Sequence, residues 1–274
     1  MAKVCVVIPC YNHGKYIDEA IQSIQKQTFQ DFEIIVVDDG STDEFTVQKL
    51  KTLNYPKTQI IHQQNSGPII ARNRAISLTT AEYILPLDAD DYFDITYIDK
   101  AVKLLDHDEN IGVVTCFVKS FGKYSYVYKP LGGGVENFIN RNNACGNSIF
   151  RRVCWEKSGG YKENMKHGSE DWDFWIGVLE KGWRIDVIAE PLFYYRRLEN
   201  SRDSIAYNTL HPELMKNMVS NHIETFQAYI LQYVFTKETE LLQLRHELDL
   251  YKLKTENINW ISKKFKQLTV LFSG

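Results

Sequence analysis

The chain has 274 residues, of which 44% are apolar and 24% are charged, and this composition is that of an ordinary globular protein. The length allows one large domain with an appendage, or two small domains. A formal net charge of −3 argues against nucleic-acid binding as the main activity.

The cysteine content and the hydrophobic runs predict a cytoplasmic protein. The five cysteines are odd in number and include no C-x-x-C pair, which is typical of free, buried thiols in a reducing compartment. The apolar run at residues 4–8 is too short for a signal peptide. No stretch approaches the roughly 20 consecutive apolar residues that span a bilayer.

The first half of the chain alternates strand and helix patterns. Continuous β-branched, apolar runs are typical of strands covered on both faces, as in a parallel sheet. Such runs predict strands at residues 4–8, 33–37, 59–62 and 83–87. Apolar residues at helical spacing predict helices at about 17–24, 42–53 and 69–76. This alternation predicts βαβ units, a parallel sheet and right-handed crossovers.

The second half is less regular. Its patterns predict helices at about 94–105 and 170–181, strands at 111–117, 145–150, 184–188 and 192–195, and a hairpin arm at 124–128. The run Gly132-Gly133-Gly134 predicts a flexible joint, and Gly182 predicts the end of the second helix.

The composition changes near Pro212, because no proline follows and glycine is absent until Gly274. We therefore expect an α/β body at residues 1–205 and a helical tail at residues 206–274. Alternating steps of three and four give the tail a heptad pattern: Leu241, Leu244, Leu248, Tyr251, Thr255, Ile258, Ser262, Phe265, Thr269 and Phe272.

Three arrangements of the tail are open at this point. The heptads are those of a helix that pairs with another chain as a coiled coil. The last part, residues 260–274, carries Lys263, Lys264 and Lys266 and no acid, as in helices that lie on an anionic membrane surface. The third arrangement is a helix packed back onto its own domain.

Three carboxylates follow the strand at residues 83–87, namely Asp88, Asp90 and Asp91. Ligands of open α/β sheets bind at the carboxyl ends of the strands, and hard divalent cations bridge one or two carboxylates to phosphates. The alternative is a turn with a helix N-cap. A calcium loop of the EF-hand type is excluded, because Tyr92 and Phe93 occupy positions that need a ligand and a glycine.

Two further polar clusters belong to the same predicted site. The stretches Pro9-Cys10-Tyr11-Asn12 and Asp38-Asp39-Gly40-Ser41 follow neighbouring strands and should face one crevice. There, Asp39 is suited either to accept hydrogen bonds from a nucleobase or ribose, or to serve as a turn or cap residue. Glu170 and Asp171 begin a predicted helix, either as functional acids or as partners of the helix dipole.

Over roughly residues 3–200, these motifs in their order resemble the family 2 glycosyltransferases with the GT-A fold. The matching stretches are Val6-Val7-Ile8-Pro9-Cys10-Tyr11-Asn12, Val36-Val37-Asp38-Asp39-Gly40-Ser41-Thr42-Asp43, Asn65-Ser66-Gly67 with Ala71-Arg72-Asn73, Leu87-Asp88-Ala89-Asp90-Asp91, and Gly168-Ser169-Glu170-Asp171-Trp172. Tyr194-Tyr195-Arg196-Arg197 resembles the closing strand of the family, whereas the Gln-x-x-Arg-Trp element of processive members is absent. The resemblance implies a Rossmann-like α/β fold with a mostly parallel sheet flanked by helices. It divides the body into a nucleotide-binding half, residues 1–92, and an acceptor half, residues 93–205.

The resemblance also implies roles for individual residues. The nucleotide-sugar would be bound by Pro9, Tyr11, Asn12, Asp39, Gly67, Arg72, Asp88 and Ala89. Asp90, with Asp88, would hold Mn²⁺ or Mg²⁺ on the donor diphosphate. Asp171 would be the general base, and Glu170 and Trp172 would bind the acceptor. Some relatives complete the metal shell with a histidine after the closing strand, but here Leu198 follows it and the next histidine is His211.

The implied activity is inverting glycosyl transfer of the hexosyltransferase type. A nucleotide-sugar, a UDP-sugar by resemblance, would donate to a hydroxyl of a glycan or lipid-linked saccharide in surface-polysaccharide synthesis. The protein would then act in the cytoplasm at the inner face of the membrane. The chemistry agrees, because a divalent ion stabilises a departing diphosphate and a single carboxylate can deprotonate the acceptor. Two alternatives are a sugar-phosphate nucleotidyltransferase, which usually needs a basic or glycine-rich phosphate loop, and a non-catalytic carbohydrate-binding or scaffold protein.

Overall fold

A computed structural model describes residues 2–123, 125–197 and 210–271, with side chains along the last helix described as far as Lys252. The chain divides into two compact units, residues 1–227 and residues 228–274. No helix among the described residues is both long enough and apolar enough to cross a membrane.

The first half of the chain forms the alternation that the sequence predicts. Its elements are β1 (Val4–Cys10), α1 (Ile17–Gln25), β2 (Phe32–Asp38), α2 (Glu44–Thr52), β3 (Thr58–His62), α3 (Pro68–Ser77) and β4 (Tyr83–Pro86). The four strands are parallel in the order β3-β2-β1-β4, and Cys10 at the end of β1 is paired with Asp38 at the end of β2. The polar residues that follow these strands therefore meet at one edge of the sheet.

The second half extends this sheet with strands of both directions. Its elements are β5 (Tyr92–Phe93), α4 (Tyr97–His107), β6 (Ile111–Gly122), β7 (Val127–Tyr128), β8 (Ile149–Arg151), α5 (Arg152–Ser158), α6 (Glu170–Leu179) and β9 (Arg184–Arg197). The described sheet has nine strands in the order β3-β2-β1-β4-β8-β6-β9-β5, with β7 on β6. Because β8 is antiparallel to both of its neighbours, the sheet is mixed, and it is parallel throughout only in the first half.

Two predictions about the second half are wrong in detail. The two predicted closing strands form one strand, β9, which pairs parallel with β6 through register shifts near Pro191. These irregularities let the chain pass Pro191, which has no N–H for the ladder, without ending the strand. The predicted glycine joint is also anchored, because Gly133 exchanges backbone hydrogen bonds with Ile185.

The first compact unit extends past residue 205, where the sequence places the start of the tail. Helices α7 (His211–Asn221) and α8 (Ile223–Ala228) contribute the buried side chains Leu214, Met218 and Phe226 to this unit. Residues 198–209, which include the predicted boundary and Leu198, lie outside the described residues. The change in composition near Pro212 therefore does not coincide with the edge of the core.

A buried histidine joins α7 and α8 to α6. The Nε2 atom of His222 lies 3.2 Å from Oδ1 of Asp173, and its Nδ1 atom lies 3.0 Å from Oε1 of Glu180. Burial lowers the pKa of His222, but the proximity of these two carboxylates outweighs burial, and the net pKa is raised. A protonated imidazole at this position therefore bridges two carboxylates of α6.

The second unit consists of one long helix, α9 (Ile230–Leu271). Its 42 residues correspond to a length of about 63 Å at 1.5 Å per residue. The predicted seam residues Leu241, Leu244, Leu248 and Tyr251 have described side chains, and all four are exposed. The side chains of the later heptad positions are not among those described, and Phe272 lies outside the described residues.

Candidate functional site

Asp88 is tied to two other elements at the end of β4. Its Oδ1 atom accepts a hydrogen bond of 2.6 Å from the guanidinium of Arg72 on α3. Asn147 donates to the other carboxylate oxygen at 3.3 Å and accepts from the backbone N–H of Asp88 at 3.0 Å. The first acid of the predicted metal motif is therefore fixed in position, with its side chain about one-third exposed (33%).

Asp90 faces a histidine from the neighbouring strand end. Nδ1 of His13, in the loop after β1, lies 3.6 Å from Oδ1 of Asp90. The Asp90 carboxylate raises the pKa of His13 more than burial lowers it. The parallel pairing of β1 with β4 brings these two residues together, although they are far apart in the sequence.

Asp91 serves the fold. Its side chain is buried, and one carboxylate oxygen accepts a 2.7 Å hydrogen bond from the backbone N–H of Arg196 on β9. Burial, together with the charges of Asp90 and Asp88, raises the pKa of Asp91 well above its usual value. The third acid of the cluster thus anchors the closing strand and does not face the site.

The remaining acids fit a divalent cation that is shared with a substrate. In the described part of the chain, no three His, Cys, Asp or Glu side chains are arranged to hold a metal by themselves. Mg²⁺ commonly keeps several waters and binds one or two carboxylates together with substrate phosphates. Asp90 and Asp88 supply oxygen donors of this kind at the sheet edge, so their predicted metal role is chemically reasonable and stays a prediction.

Arg72 connects the strand acids to helix α6. Besides Asp88, its guanidinium donates to Oε1 of Glu170 at 2.9 Å, and the Arg72 side chain is only 8% exposed. Burial lowers the pKa of Arg72, but the charges of Asp88 and Glu170 outweigh it, so the pKa is raised and the guanidinium remains charged. One buried cation therefore fixes both the predicted donor end and the predicted acceptor end of the site.

Asp171 lies in the first turn of α6. Ser169 precedes the helix in the left-handed region, with φ of 56°, and turns the chain into it. The side-chain amide of Asn142 donates a hydrogen bond of 2.8 Å to Oδ2 of Asp171. A Cβ atom at Gly146 would lie 3.0 Å from the same oxygen, so glycine allows this backbone to pack against the carboxylate.

Trp172, which was predicted to bind the acceptor, lies in the core of the structure. Its side chain is buried, and its indole N–H donates a hydrogen bond of 2.7 Å to the carbonyl of Phe138. Successive residues of a helix point about 100° apart. When Asp171 faces the cavity, Trp172 accordingly points into the core.

A cavity of about 220 Å³ joins Asp88 to Asp171. Its lining includes charged, amide and aromatic side chains, among them Arg72, Glu170, Asn147, Tyr126, Tyr128 and Tyr195. Cys145 also lines it, and burial raises the pKa of that thiol, which excludes a thiolate nucleophile. The cavity is therefore suited to a polar molecule that meets both acids.

The loops after β1 and β2 are joined by Asn12. Its backbone lies in the left-handed region with φ of 58°, and its amide oxygen accepts hydrogen bonds from the backbone N–H groups of Thr42, at 2.8 Å, and Asp43, at 3.1 Å. Its own backbone N–H donates to Oγ of Ser41 at 3.1 Å. Asn12 thus builds the rim of the crevice.

The other predicted donor residues differ in their availability. The Tyr11 side chain is 43% exposed beside this rim, whereas Pro9 lies within β1 and Ala89 is buried, which leaves only its backbone available.

Asp39 organises the loop before α3. Its two carboxylate oxygens accept hydrogen bonds from the backbone N–H groups of Ser66 and Gly67, both at 2.8 Å, and from the side chain of Gln63 at 2.7 Å. This is the turn-and-cap alternative for Asp39, with Gly67 as the cap residue of α3. Its contact with a nucleobase stays a prediction.

Three site residues were missed in the sequence, namely His13, Asn142 and Asn147. Asn142 precedes the predicted strand at residues 145–150 and Asn147 lies within it, whereas β8 begins only at Ile149. The density of asparagine and glycine at residues 142–147 was the available signal, since such residues form loops that carry functional groups. His13 directly follows the Tyr11-Asn12 motif, so the sequence indicates that it lies near the site. The sequence does not show that it faces Asp90.

Comparison with known proteins agrees with this geometry. The family model "Glycosyl transferase family 2" matches residues 5–159. An uncharacterized glycosyltransferase, MJ1057 of Methanocaldococcus jannaschii, is 27% identical over 279 residues, which cover 92% of this chain and 95% of that protein. This chain spans only 30% of the length of a relative from Rickettsia felis.

Two solved structures share the fold. S. aureus TarS 1-349 in complex with UDP-GlcNAc superposes with a TM-score of 0.67 at 24% identity, covering 80% of this chain and 66% of that one. The mannosyltransferase PcManGT from Pyrobaculum calidifontis, in complex with GDP-Man and Mn²⁺, superposes with a TM-score of 0.57 at 18% identity, covering 87% and 80%. At these identities the likeness concerns the fold, which is the predicted GT-A fold.

Proposed function

This chain belongs to glycosyl transferase family 2, and we propose that it transfers a sugar from a nucleotide-sugar to an acceptor hydroxyl with inversion at the anomeric carbon. The observation that carries the proposal is a cavity that both Asp88 and Asp171 line. One acid stands at the sheet edge where nucleotides bind in α/β folds, and the other stands where an acceptor would enter. In a single displacement, the donor and the acceptor must be bound at these two positions at the same time.

The proposed donor is a UDP-sugar, bound along the edge of β1, β2 and β4. The structural neighbour TarS was solved with UDP-GlcNAc, and PcManGT with GDP-Man and Mn²⁺, which supports a nucleotide-sugar and a divalent metal. Asp90, with Asp88, would hold Mn²⁺ or Mg²⁺ together with the donor phosphates. When bound, the metal neutralises charge that develops on the departing diphosphate.

Asp171 is the proposed general base. The acceptor oxygen forms a bond to the anomeric carbon while the bond from that carbon to the diphosphate breaks, and the hydroxyl proton passes to the Asp171 carboxylate. The side-chain amide of Asn142 donates a hydrogen bond of 2.8 Å to Oδ2 of Asp171 and orients that carboxylate. A positioned base of this kind contributes about 10²- to 10⁴-fold to the rate.

The proposed acceptor is a glycan or a lipid-linked saccharide in surface-polysaccharide synthesis. Tyr126, Tyr128 and Tyr195 offer the aromatic wall of the cavity, and aromatic faces suit the apolar faces of sugar rings. Glu170, held by Arg72, remains the proposed polar contact on the acceptor side. A location at the inner face of the membrane is part of this proposal and follows from such an acceptor.

Turnover of UDP-GlcNAc with and without EDTA tests the proposal, and product anomer analysis tests inversion. Asp171→Asn should lower kcat by about 10²-fold or more while changing the donor Kd little, because the donor is held by the other acids. Asp99→Asn is the matched control and should keep normal turnover, because Asp99 is a partly exposed carboxylate outside the site, in an ion pair with Lys103. Near-normal turnover of Asp171→Asn, or a retained anomer, would assign the base role elsewhere.

The two alternative functions give different results in the same assay. A sugar-phosphate nucleotidyltransferase would consume a nucleoside triphosphate and release pyrophosphate, and a carbohydrate-binding protein would turn over neither substrate.

We propose self-association for the helical tail, and this proposal does not depend on the turnover assay.

A further inference from the structure

Helix α9 carries an exposed apolar seam in the part whose side chains are described. Leu241 and Leu248 occupy the a positions of two successive heptads, and Leu244 and Tyr251 occupy the d positions. In the single chain these side chains are 47%, 52%, 61% and 66% exposed, respectively. Leu242 and Leu250, outside this row, are also exposed, at 61% and 45%, so the heptad spacing together with the flanking charges, and not exposure alone, defines the interacting face.

The residues that flank the seam are charged in a specific order. Glu240 and Glu247 occupy the g positions, and Arg245 and Lys252 occupy the e positions. In a parallel two-stranded coiled coil, each g residue faces the e residue of the following heptad on the other helix. That geometry pairs Glu240 with Arg245 of a second copy and Glu247 with Lys252 of a second copy, and symmetry makes each pair twice.

We propose that α9 forms a parallel, in-register coiled coil with a second copy of this chain. An antiparallel pair would set g against g and e against e, placing glutamates beside glutamates and cations beside cations, which is unfavourable. The charge order therefore selects both the partner and the orientation. The proposal concerns assembly and does not rest on the proposed catalytic function.

The same charges argue against an anionic membrane as the occupant of this seam. Residues 237–252 contain four acids and three bases, not counting histidine, a net charge of −1. A helix that lies on anionic lipid is rich in lysine and arginine on its polar face. In this chain that richness is confined to Lys263, Lys264 and Lys266, which follow the described seam.

Charge reversal on the full chain tests the pairing. Glu240→Lys with Glu247→Lys makes both of these g–e pairs repulsive, and so does Arg245→Glu with Lys252→Glu. By sedimentation equilibrium, each double variant should dimerise at least tenfold more weakly than wild type. An equimolar mixture of the two variants should recover wild-type affinity as a heterodimer, and so should the chain with all four changes as a homodimer.

A matched control changes the same amount of charge away from the seam. Glu213→Lys with Glu224→Lys alters two exposed acids of α7 and α8, outside the seam of α9, and should leave the dimer unchanged. A wild-type chain that stays monomeric at 50 µM, or g-position variants no weaker than this control, would overturn the proposal.

Orientation is tested by crosslinking. In a parallel, in-register pair each d residue meets its own copy, so Leu244→Cys should give disulfide-linked dimers on mild oxidation. His246→Cys, at an f position, should not. The native cysteines are free, and four of the five are buried, so wild type supplies the background. Crosslinking of the f variant alone, or binding of wild type as a monomer to vesicles of 3:1 phosphatidylcholine and phosphatidylglycerol, would assign the seam to another contact.

Discussion

Removing the charge of Arg72 should destabilise the first compact unit. The guanidinium lies 2.6 Å from Asp88 and 2.9 Å from Glu170, and Glu170 is only 10% exposed. Arg72→Met keeps much of the apolar stem but leaves both carboxylates without this cation. Breaking a buried ion pair in this way costs about 3–5 kcal/mol. Because Asp88 is one-third exposed and can be hydrated, we expect about 3 kcal/mol, at the lower end.

Thermal and urea unfolding at pH 7 measure this loss. For a unit of this size, 3 kcal/mol corresponds to a fall in Tm of about 6–12 °C. Lys103→Met is the control, since its ion pair with Asp99 spans 2.7 Å but the lysine side chain is 73% exposed. That change should cost less than about 1 kcal/mol.

A second substitution separates charge from packing. Adding Glu170→Gln to Arg72→Met removes the charge of the more buried of the two carboxylates that lose this cation, and should recover part of the lost stability. If Arg72→Met costs no more than Lys103→Met, or if Glu170→Gln brings no recovery, the guanidinium does not hold the two ends of the site together.

Three other changes have defined outcomes. Asp90→Ala should weaken metal-dependent UDP binding at least about tenfold by calorimetry with the fold intact, and unchanged affinity would exclude Asp90 as a ligand. Gly146→Ala should lower kcat about tenfold by displacing the Asp171 carboxylate, with the donor Kd unchanged. Because the pKa of His222 is raised, its stabilisation is complete below about pH 6.5 and is lost as pH rises through the folded-state pKa; urea unfolding of His222→Leu should lack this pH dependence.

The first half of the fold was predictable because its parallel strands have a recognisable sequence pattern. Strands buried on both faces read as continuous apolar runs, and all seven residues of β1 except Pro9 are buried. The second half lacks that signal. The polar and proline interruption at Glu190 and Pro191 predicted two strands, whereas pairing with β6 carries one strand through it. The local sequence pattern does not show that a neighbouring strand, β6, pairs with the chain on both sides of the interruption.

Residue types in the site were easier to predict than their partners. The acids of the sheet edge were found because several carboxylates follow one strand within four residues, and crowded carboxylates repel one another unless a cation or hydrogen-bond donors offset them. The acids of α6 were found from the order of the motifs. Their actual contacts depend on long-range placement: Arg72 reaches across 98 positions to Glu170, and Asn142 reaches Asp171 from an irregular loop. Likewise, Leu214, Met218 and Phe226 fall within the predicted helical tail, but they are buried.

The hydrogen bonds of Asn12 couple two loops that are far apart in the sequence, so the residues of these loops should change together in evolution. Its side chain and backbone engage Ser41, Thr42 and Asp43, so neither loop has its present shape without the other. A chimera that exchanged only the loop after β1 with a relative would break this match, whereas exchange of both loops would preserve it. Diversification of the rim in this lineage should therefore proceed by paired changes at residues 12 and 41–43.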